Sequence, residues 1–349
     1  MQSITFTSDA AMELSKVLGG IDFDRVFVLL DETTQRLCMD RLQGCDAIKD
    51  AKTIVIGATD VCKNIESLAH VWKSLGESGA SRRSLLVNVG GGMVTDLGGF
   101  AASTFKRGIK FVNIPTTLLA MVDASVGGKT GINFNGLKNE VGVFCDASHV
   151  IIDTGFLSTL DEQNICSGYA EMLKHGLISS TPDWAELVNF DLHHPDLARL
   201  SEMLRKNIRV KERIVLEDPH EKGIRKALNV GHTAGHAFES FAMAIGQPVL
   251  HGYAVAWGMV CELYLSVVKL GFPKDKMRQT VTFIRENYGT MAFDCKDYER
   301  LYELMKHDKK NTQGFINFTL LSDIGGIKLN QTASREEIFE ALDFYREQF

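Results

Sequence analysis

His232 and His236 stand four residues apart in Leu228-Asn-Val-Gly-His-Thr-Ala-Gly-His-Ala-Phe-Glu239. Read as one helix, the stretch places both imidazoles on one face, one turn apart, which is a spacing that metal ligands use. Gly231 and Gly235 keep the same spacing one residue earlier, each costing about 1 kcal/mol against alanine in a helix interior. The helix must therefore be approached closely by a neighbour. The same pattern also fits a buried helix whose histidines are satisfied by hydrogen bonds, so the metal reading needs further groups elsewhere in the chain.

Those groups exist. In Tyr169-Ala-Glu-Met-Leu-Lys-His175, Glu171 and Lys174 share a helical face, and the apolar neighbours Ala170, Met172 and Leu173 favour a buried face over a surface ion pair. With His232, His236 and His251 available, one carboxylate and two imidazoles make an economical zinc site that leaves a fourth position open for catalysis. Spacing alone points to His232 and His236 as the imidazole pair, by analogy with helical HExxH sites.

A second cluster suggests phosphate. Gly90-Gly91-Gly92 lies between an apolar strand and a helix starting near Met93, with Asp96 in its first turn, where bare backbone and a helix N-terminus can meet a diphosphate. A tight turn without ligand fits the glycines equally. Asp31 ends an earlier strand, where a dinucleotide fold places a carboxylate for ribose hydroxyls, although a turn aspartate fits as well. Ala124-Ser-Val-Gly-Gly-Lys-Thr130, running on to Lys138 and Asn139, looks like a phosphate grip or a solvated turn. It lacks the upstream glycine of a triphosphate-binding loop, which excludes that class.

The elements that must carry these residues alternate in the first half. β-Branched runs at Val26–Leu30, Thr53–Ile56, Leu85–Val89 and Lys110–Ile114 are separated by helical stretches such as Val61–Leu75 and Met93–Ser103. This predicts an α/β dinucleotide-binding domain with a parallel sheet over residues 1–157. Residues 158–349 predict a mainly α-helical domain, with helices over Asp161–Ile178, Leu197–Glu217, Ala227–Ala244, Tyr253–Leu270, Lys274–Tyr288 and Asp297–Lys306 and a β return at Phe315–Leu321. Two such domains leave a cleft for substrate.

A net charge of −6 and a pI near 6.0 give no basic excess for nucleic acid or an anionic membrane. The seven cysteines are scattered singly, which predicts reduced thiols in a cytoplasmic protein. The amino end lacks a signal-peptide pattern. The apolar run Tyr253–Val268 is interrupted by Glu262 and reads as a core helix, too short for a membrane span.

Across GGGMVTDLGGFAASTFKRG (90–108), IPTTLLAMVDASVGGKTGIN (114–133), GLKNEVGVF (136–144), SGYAEMLKHG (167–176), GIRKALNVGHTAGHAFE (223–239) and HGYAVAWGM (251–259), the chain resembles the 3-dehydroquinate synthase family of sugar-phosphate cyclases. The resemblance implies metal ligands at Glu171, His232 and His251, with His236 facing substrate for proton transfer or phosphate contact. It implies NAD contacts at Asp31, Asp60, Lys63, Gly91, Gly92, Met93, Asp96, Thr116, Thr117, Asp123, Lys129 and Lys138. Asp60 stands where the family usually has glutamate, and Thr33 where an asparagine-like ribose contact is common. Substrate positions are Asp123, Lys129, Asn139, Lys174, Lys211, Arg225, Asn229 and His236, with a further lysine at Lys309 or Lys310. Arg107 matches an arginine that reaches the neighbouring subunit's site, implying a homodimer.

The implied reaction converts 3-deoxy-D-arabino-heptulosonate 7-phosphate to 3-dehydroquinate in the shikimate pathway, with NAD and a divalent metal, zinc or cobalt. It proceeds by transient oxidation, phosphate elimination, re-reduction and intramolecular aldol closure. Three alternatives compete. A metal-dependent polyol dehydrogenase on the same fold has no use for Lys129, Lys211 and Arg225. A cyclase for a substrate without a carboxylate has less use for Lys211, Arg225 and Asn229. A catalytically silent binding protein would not need the complete set of Glu171, His232, His236 and His251.

Overall fold

Val28, Val87 and Val112 sit side by side in neighbouring strands and are fully buried, which is what unbroken apolar strands covered on both faces require. The computed structural model describes residues 2–135, 137–306 and 316–348. Its first unit contains β1 (Ser3–Thr7), α1 (Ala10–Gly19), β2 (Val26–Asp31), α2 (Glu32–Cys38), β3 (Lys52–Ile56), α3 (Ile65–Glu77), β4 (Leu85–Gly90), α4 (Gly92–Thr104), β5 (Lys110–Pro115), β6 (Lys129–Phe134), β7 (Leu137–Phe144) and β8 (His149–Asp153). Six strands form a parallel sheet in the order β1-β8-β5-β4-β2-β3. The chain runs from β2 outward to β3 and returns to the other side of β2 as β4, so the strand order reverses between β2 and β4. At such a reversal the loops leaving the two strands diverge and open a crevice for a ligand.

β6 and β7 form a separate antiparallel hairpin. The glycine- and lysine-rich stretch after residue 124 is thus largely paired strand rather than a solvated turn. Gly131 and Gly142 explain the pairing: a Cβ on Gly142 would lie 2.1 Å from Thr130 O, so the two backbones meet where neither residue has a side chain.

The second unit comprises α5 (Glu162–Ser179), α6 (Thr181–Val188), α7 (Leu197–Glu217), α8 (His232–Ala244), α9 (His251–Leu270), α10 (Lys274–Tyr288), α11 (Tyr298–Lys306), β9 (Asn317–Leu321), β10 (Ile327–Thr332) and α12 (Arg335–Gln348). β9 and β10 pair as an antiparallel hairpin. The first part of α7, Leu197–Ile208, belongs to the sheet-containing unit, and Arg209 onward belongs to the helical one.

Two sequence expectations change here. Leu228–Glu239 is not one helix: Ile224–Asn229 is a 3-10 turn, Gly231 takes φ +79°, and α8 starts at His232. Gly231 is therefore a left-handed N-cap, a conformation that costs glycine least. The apolar run read as 16 residues is the 20-residue α9, long and apolar enough to cross a membrane by length and composition. In this fold 67% of its most apolar window is buried inside the protein.

Candidate functional site

In the sheet-containing unit, Gly91 is the N-cap of α4, immediately after β4 at the strand-order reversal. α2 and α3 are capped by the side chains of Asp31 and Asn64, whereas no side chain caps α4. An uncapped helix start of this kind leaves its first N–H groups and positive dipole end without a side-chain acceptor, an arrangement that suits a diphosphate. The helix packs tightly on the sheet: a Cβ at Gly98 would fall 2.1 Å from Asn88 Oδ1 and 2.8 Å from Leu29 Cδ2. Met93 lies half-buried in the first turn of α4.

Asp96, one turn further on than its sequence position suggested, pairs with Lys63 at 2.5 Å. Lys63, 4% exposed, also donates to Asn139. Asp60 accepts from Asn133 Nδ2 at 3.0 Å and pairs with Lys138 at 3.3 Å. The β6–β7 hairpin is thereby tied to the loop after β3. Asp31 Oδ1 accepts from Thr34 N at 2.8 Å, so one of its oxygens serves the helix cap. Thr116 is buried, and Thr117 Oγ1 accepts from Ala120 N at 3.2 Å. Asp123 lies on the π-helical turn Ala120–Ala124, and Lys129 is exposed on β6. Arg107 is exposed after α4 with φ +68°, following Lys106 at φ +49°. Two adjacent non-glycine residues in the left-handed region store backbone strain of order 1 kcal/mol or more each.

In the helical unit, α5 contributes Glu171, α8 His232 and α9 His251, whose ligand atoms lie within 4.8 Å of one another. His232 Nε2 and His251 Nε2 are each 3.4 Å from Glu171 Oε1. That oxygen is buried and has no hydrogen-bond partner. A separation near 3.4 Å is what donors about 2.1 Å from one ion subtend at a tetrahedral angle. The remaining ring nitrogens are occupied: His232 Nδ1 donates to Val230 O at 3.1 Å, and His251 Nδ1 donates to Glu239 Oε2 at 3.2 Å. Both Nε2 atoms are thus turned toward the orphaned carboxylate oxygen, and the three residues fit a divalent cation. His236 stands beside them without entering the set, its ring centroid 5.3 Å from that of His232 and 5.9 Å from that of His251.

Burial alone would raise the Glu171 carboxyl, but the Lys174 ammonium and then His232 hold it well below the usual carboxylate range. Glu171 and Lys174 are both fully buried partners, as their apolar neighbours in the sequence suggested. Burial also disfavours a charged His251, yet the carboxylates of Glu239 and Glu171 outweigh it and push the imidazole up to about 10. Without a cation the site therefore keeps a proton on His251 at neutral pH, and a cation must displace it. Cation affinity is expected to rise about tenfold per pH unit between pH 6 and 8. Titration in buffers of different ionisation enthalpy should report about one proton released, and a flat profile would contradict this.

Arg225 is 1% exposed and donates through Nη1 to Pro219 O at 2.6 Å. The turn that carries it is shaped by Asp218, whose carboxylate accepts from the backbone N–H of Lys222, Gly223 and Arg225. Asn229 donates to Glu221 Oε1 at 3.0 Å, and Lys211 is buried on α7. Lys309 and Lys310 lie outside the described residues. Asp218, Glu239 and Glu262 are functional-site residues that motif and spacing do not single out. Asp218 had a local signal, an acidic residue opening Asp-Pro-His-Glu-Lys-Gly223, whereas the other two act through contacts remote in sequence.

The 3-dehydroquinate synthase N-terminal family model matches residues 53–167, and the C-terminal model of the same family matches residues 168–311. A 3-dehydroquinate synthase of Parabacteroides distasonis is 53% identical over 348 residues, covering 100% of this chain and 99% of its own length. The structure of 2-epi-5-epi-valiolone synthase from Streptomyces hygroscopicus subsp. jinggangensis, with NAD+ and Zn2+ bound, aligns with a TM-score of 0.88 at 25% identity, covering 100% of this chain and 98% of that one. A 2-deoxy-scyllo-inosose synthase complexed with carbaglucose-6-phosphate, NAD+ and Co2+ shares the fold, with a TM-score of 0.84 at 22% identity over 99% and 96% of the two chains. By its sequence along its whole length and by its fold, the chain belongs to the 3-dehydroquinate synthase family.

Proposed function

We propose that this chain converts 3-deoxy-D-arabino-heptulosonate 7-phosphate to 3-dehydroquinate and inorganic phosphate, acting as a carbon–oxygen lyase. The observation that carries the reading is the set of buried Glu171 and His232 with half-buried His251, and His236 beside it, in a chain aligned end to end with a 3-dehydroquinate synthase. Zinc or cobalt in that set would polarise a substrate hydroxyl, while NAD near Asp31 and Gly91 would take up a hydride and give it back.

The chain's own groups do the rest. Lys174, held by Glu171, keeps a buried ammonium next to the donor set, suited to an anionic or developing alkoxide oxygen. His236, outside the donor set, is assigned to proton transfer at the carbon flanking the oxidised centre or to the departing phosphate. Lys211, Arg225 and Asn229 in the helical unit, and Asp123, Lys129 and Asn139 in the sheet-containing unit, are assigned to the carboxylate, hydroxyl and phosphate groups of the substrate. Lys309 or Lys310 belongs to the same assignment. Asp60, Lys63, Met93, Asp96, Thr116, Thr117 and Lys138 are assigned to NAD. We place the protein in the cytoplasm as a homodimer in which Arg107 reaches the partner's site; its strained, exposed backbone is the feature that supports this role.

The test is direct. Purified protein with NAD and Co2+ is expected to release phosphate from the heptulosonate phosphate with no net accumulation of NADH. Steady NADH formation on a polyol without phosphate release would overturn the assignment in favour of a dehydrogenase.

A further inference from the structure

Behind the donor set, the two helices that carry the imidazoles exchange carboxylates. α8 has His232 as its first residue and Glu239 two turns later, and Glu239 accepts from His251 on α9 at 3.2 Å. α9 has His251 as its first residue and Glu262 three turns later. The two oxygens of Glu262 accept from the backbone N–H of Gly231, Thr233 and Ala234, at 2.7, 2.9 and 3.2 Å, at the start of α8. Glu239 is 3% exposed and Glu262 1% exposed.

We infer that Glu239 and Glu262 are positioning residues that set the cation affinity of the site by this crossing. Each helix carries one donor and the carboxylate that fixes the donor of the other helix. This rests on the cation-dependent reading proposed above.

The two carboxylates act by different physics. Glu239 holds the Nδ1–H of His251, so the ring can neither flip nor change tautomer, and its negative charge makes Nε2 a stronger donor. Glu262 acts on backbone. Gly231 has no side chain with which to cap α8, and the residue that supplies the cap lies 31 positions further along the chain. By gripping the N–H groups on both sides of His232, Glu262 fixes the Cα–Cβ direction of that donor. Its charge also neutralises the positive end of α8, so this helix start, unlike that of α4, is closed to a substrate phosphate. Neither helix can then shift without disturbing both imidazoles.

Zinc affinity is measured by chelator competition on the full chain, together with the visible absorption of the Co2+-loaded form, for wild type, Glu239→Gln, Glu262→Gln and His232→Ala. Each glutamine variant is expected to bind zinc about 10- to 100-fold more weakly and to show an altered cobalt spectrum, with far-UV circular dichroism unchanged. Zinc affinity within twofold of wild type in both would overturn the inference. If wild type binds no more tightly than His232→Ala, the donor set itself has been misread. Tight wild-type binding, weak His232→Ala and unaltered glutamine variants would sink the crossing alone. Should Glu262→Gln not fold, the Co2+-loaded wild type still decides: two slowly exchanging, paramagnetically shifted ring N–H resonances are expected, and Glu239→Gln should move one of them. Fast exchange of both in wild type would refute the arrangement.

Discussion

His232→Ala is expected to yield a folded protein that no longer retains a divalent cation, whereas His236→Ala retains it and loses turnover. His232 Nε2 is one of three donor atoms, with His251 Nε2 and the buried Glu171 Oε1, an oxygen that has no hydrogen-bond partner. Its removal should therefore weaken zinc by more than the roughly 10- to 100-fold seen when a residue behind a ligand is lost. His236, four residues on, is half-buried and absent from the donor set. Loss of a general acid or base costs about 100- to 10,000-fold in turnover. Metal analysis after dialysis and steady-state phosphate release separate the two variants, and equal metal loss in both would return His236 to the ligands.

That division of one helix face was only partly legible beforehand. The four-residue spacing of the histidines is a local property and could be read directly, as could the shared face of Glu171 and Lys174. The spacing could not say which imidazole turns toward Glu171, because that depends on α9 bringing His251 alongside and on Val230 O and Glu239 fixing the ring nitrogens. Strands β2 to β5 were visible because their runs are mostly apolar and rich in β-branched residues, with the hydrogen-bonded Asn88 and Asn113 as buried polar exceptions. The β6–β7 hairpin was not, because its glycines and lysines carry a turn signal and its pairing rests on backbone approach at Gly131 and Gly142. Edge strand β1 and strand β8 were also missed: each is short, and they pair across more than 140 residues. The glycine turn at Gly90–Gly92 gained its meaning only from strand order, since nothing local records that β4 returns beside β2.

Gly258→Ala is expected to reduce zinc affinity at least tenfold and kcat by about 100-fold while leaving a folded protein. A Cβ at this position on α9 would lie 2.0 Å from Gly231 O, 2.5 Å from Gly235 N and 2.9 Å from Gly235 Cα. All three atoms are backbone, so no flexible side chain can move aside, and α8 must withdraw by about 1 Å to reach the 3.0 Å that real Cβ contacts respect. Overpacking of this kind costs about 1–3 kcal/mol. The withdrawal also carries His232 away from His251, and donors must be held within about 0.5 Å to keep a site competent. Gly271→Ala separates the two consequences. That residue ends α9 with φ +71° and has nothing within 4 Å of its Cβ position. Its substitution should cost about 1–2 kcal/mol of stability through left-handed strain alone and leave zinc affinity and kcat at wild-type values. Comparable stability losses with metal loss confined to Gly258→Ala would show that the glycines spaced along α8 are there to let α9 approach, and that the approach is what assembles the donors. Metal loss in both variants, in proportion to stability, would mean that the site follows global stability rather than this helix crossing.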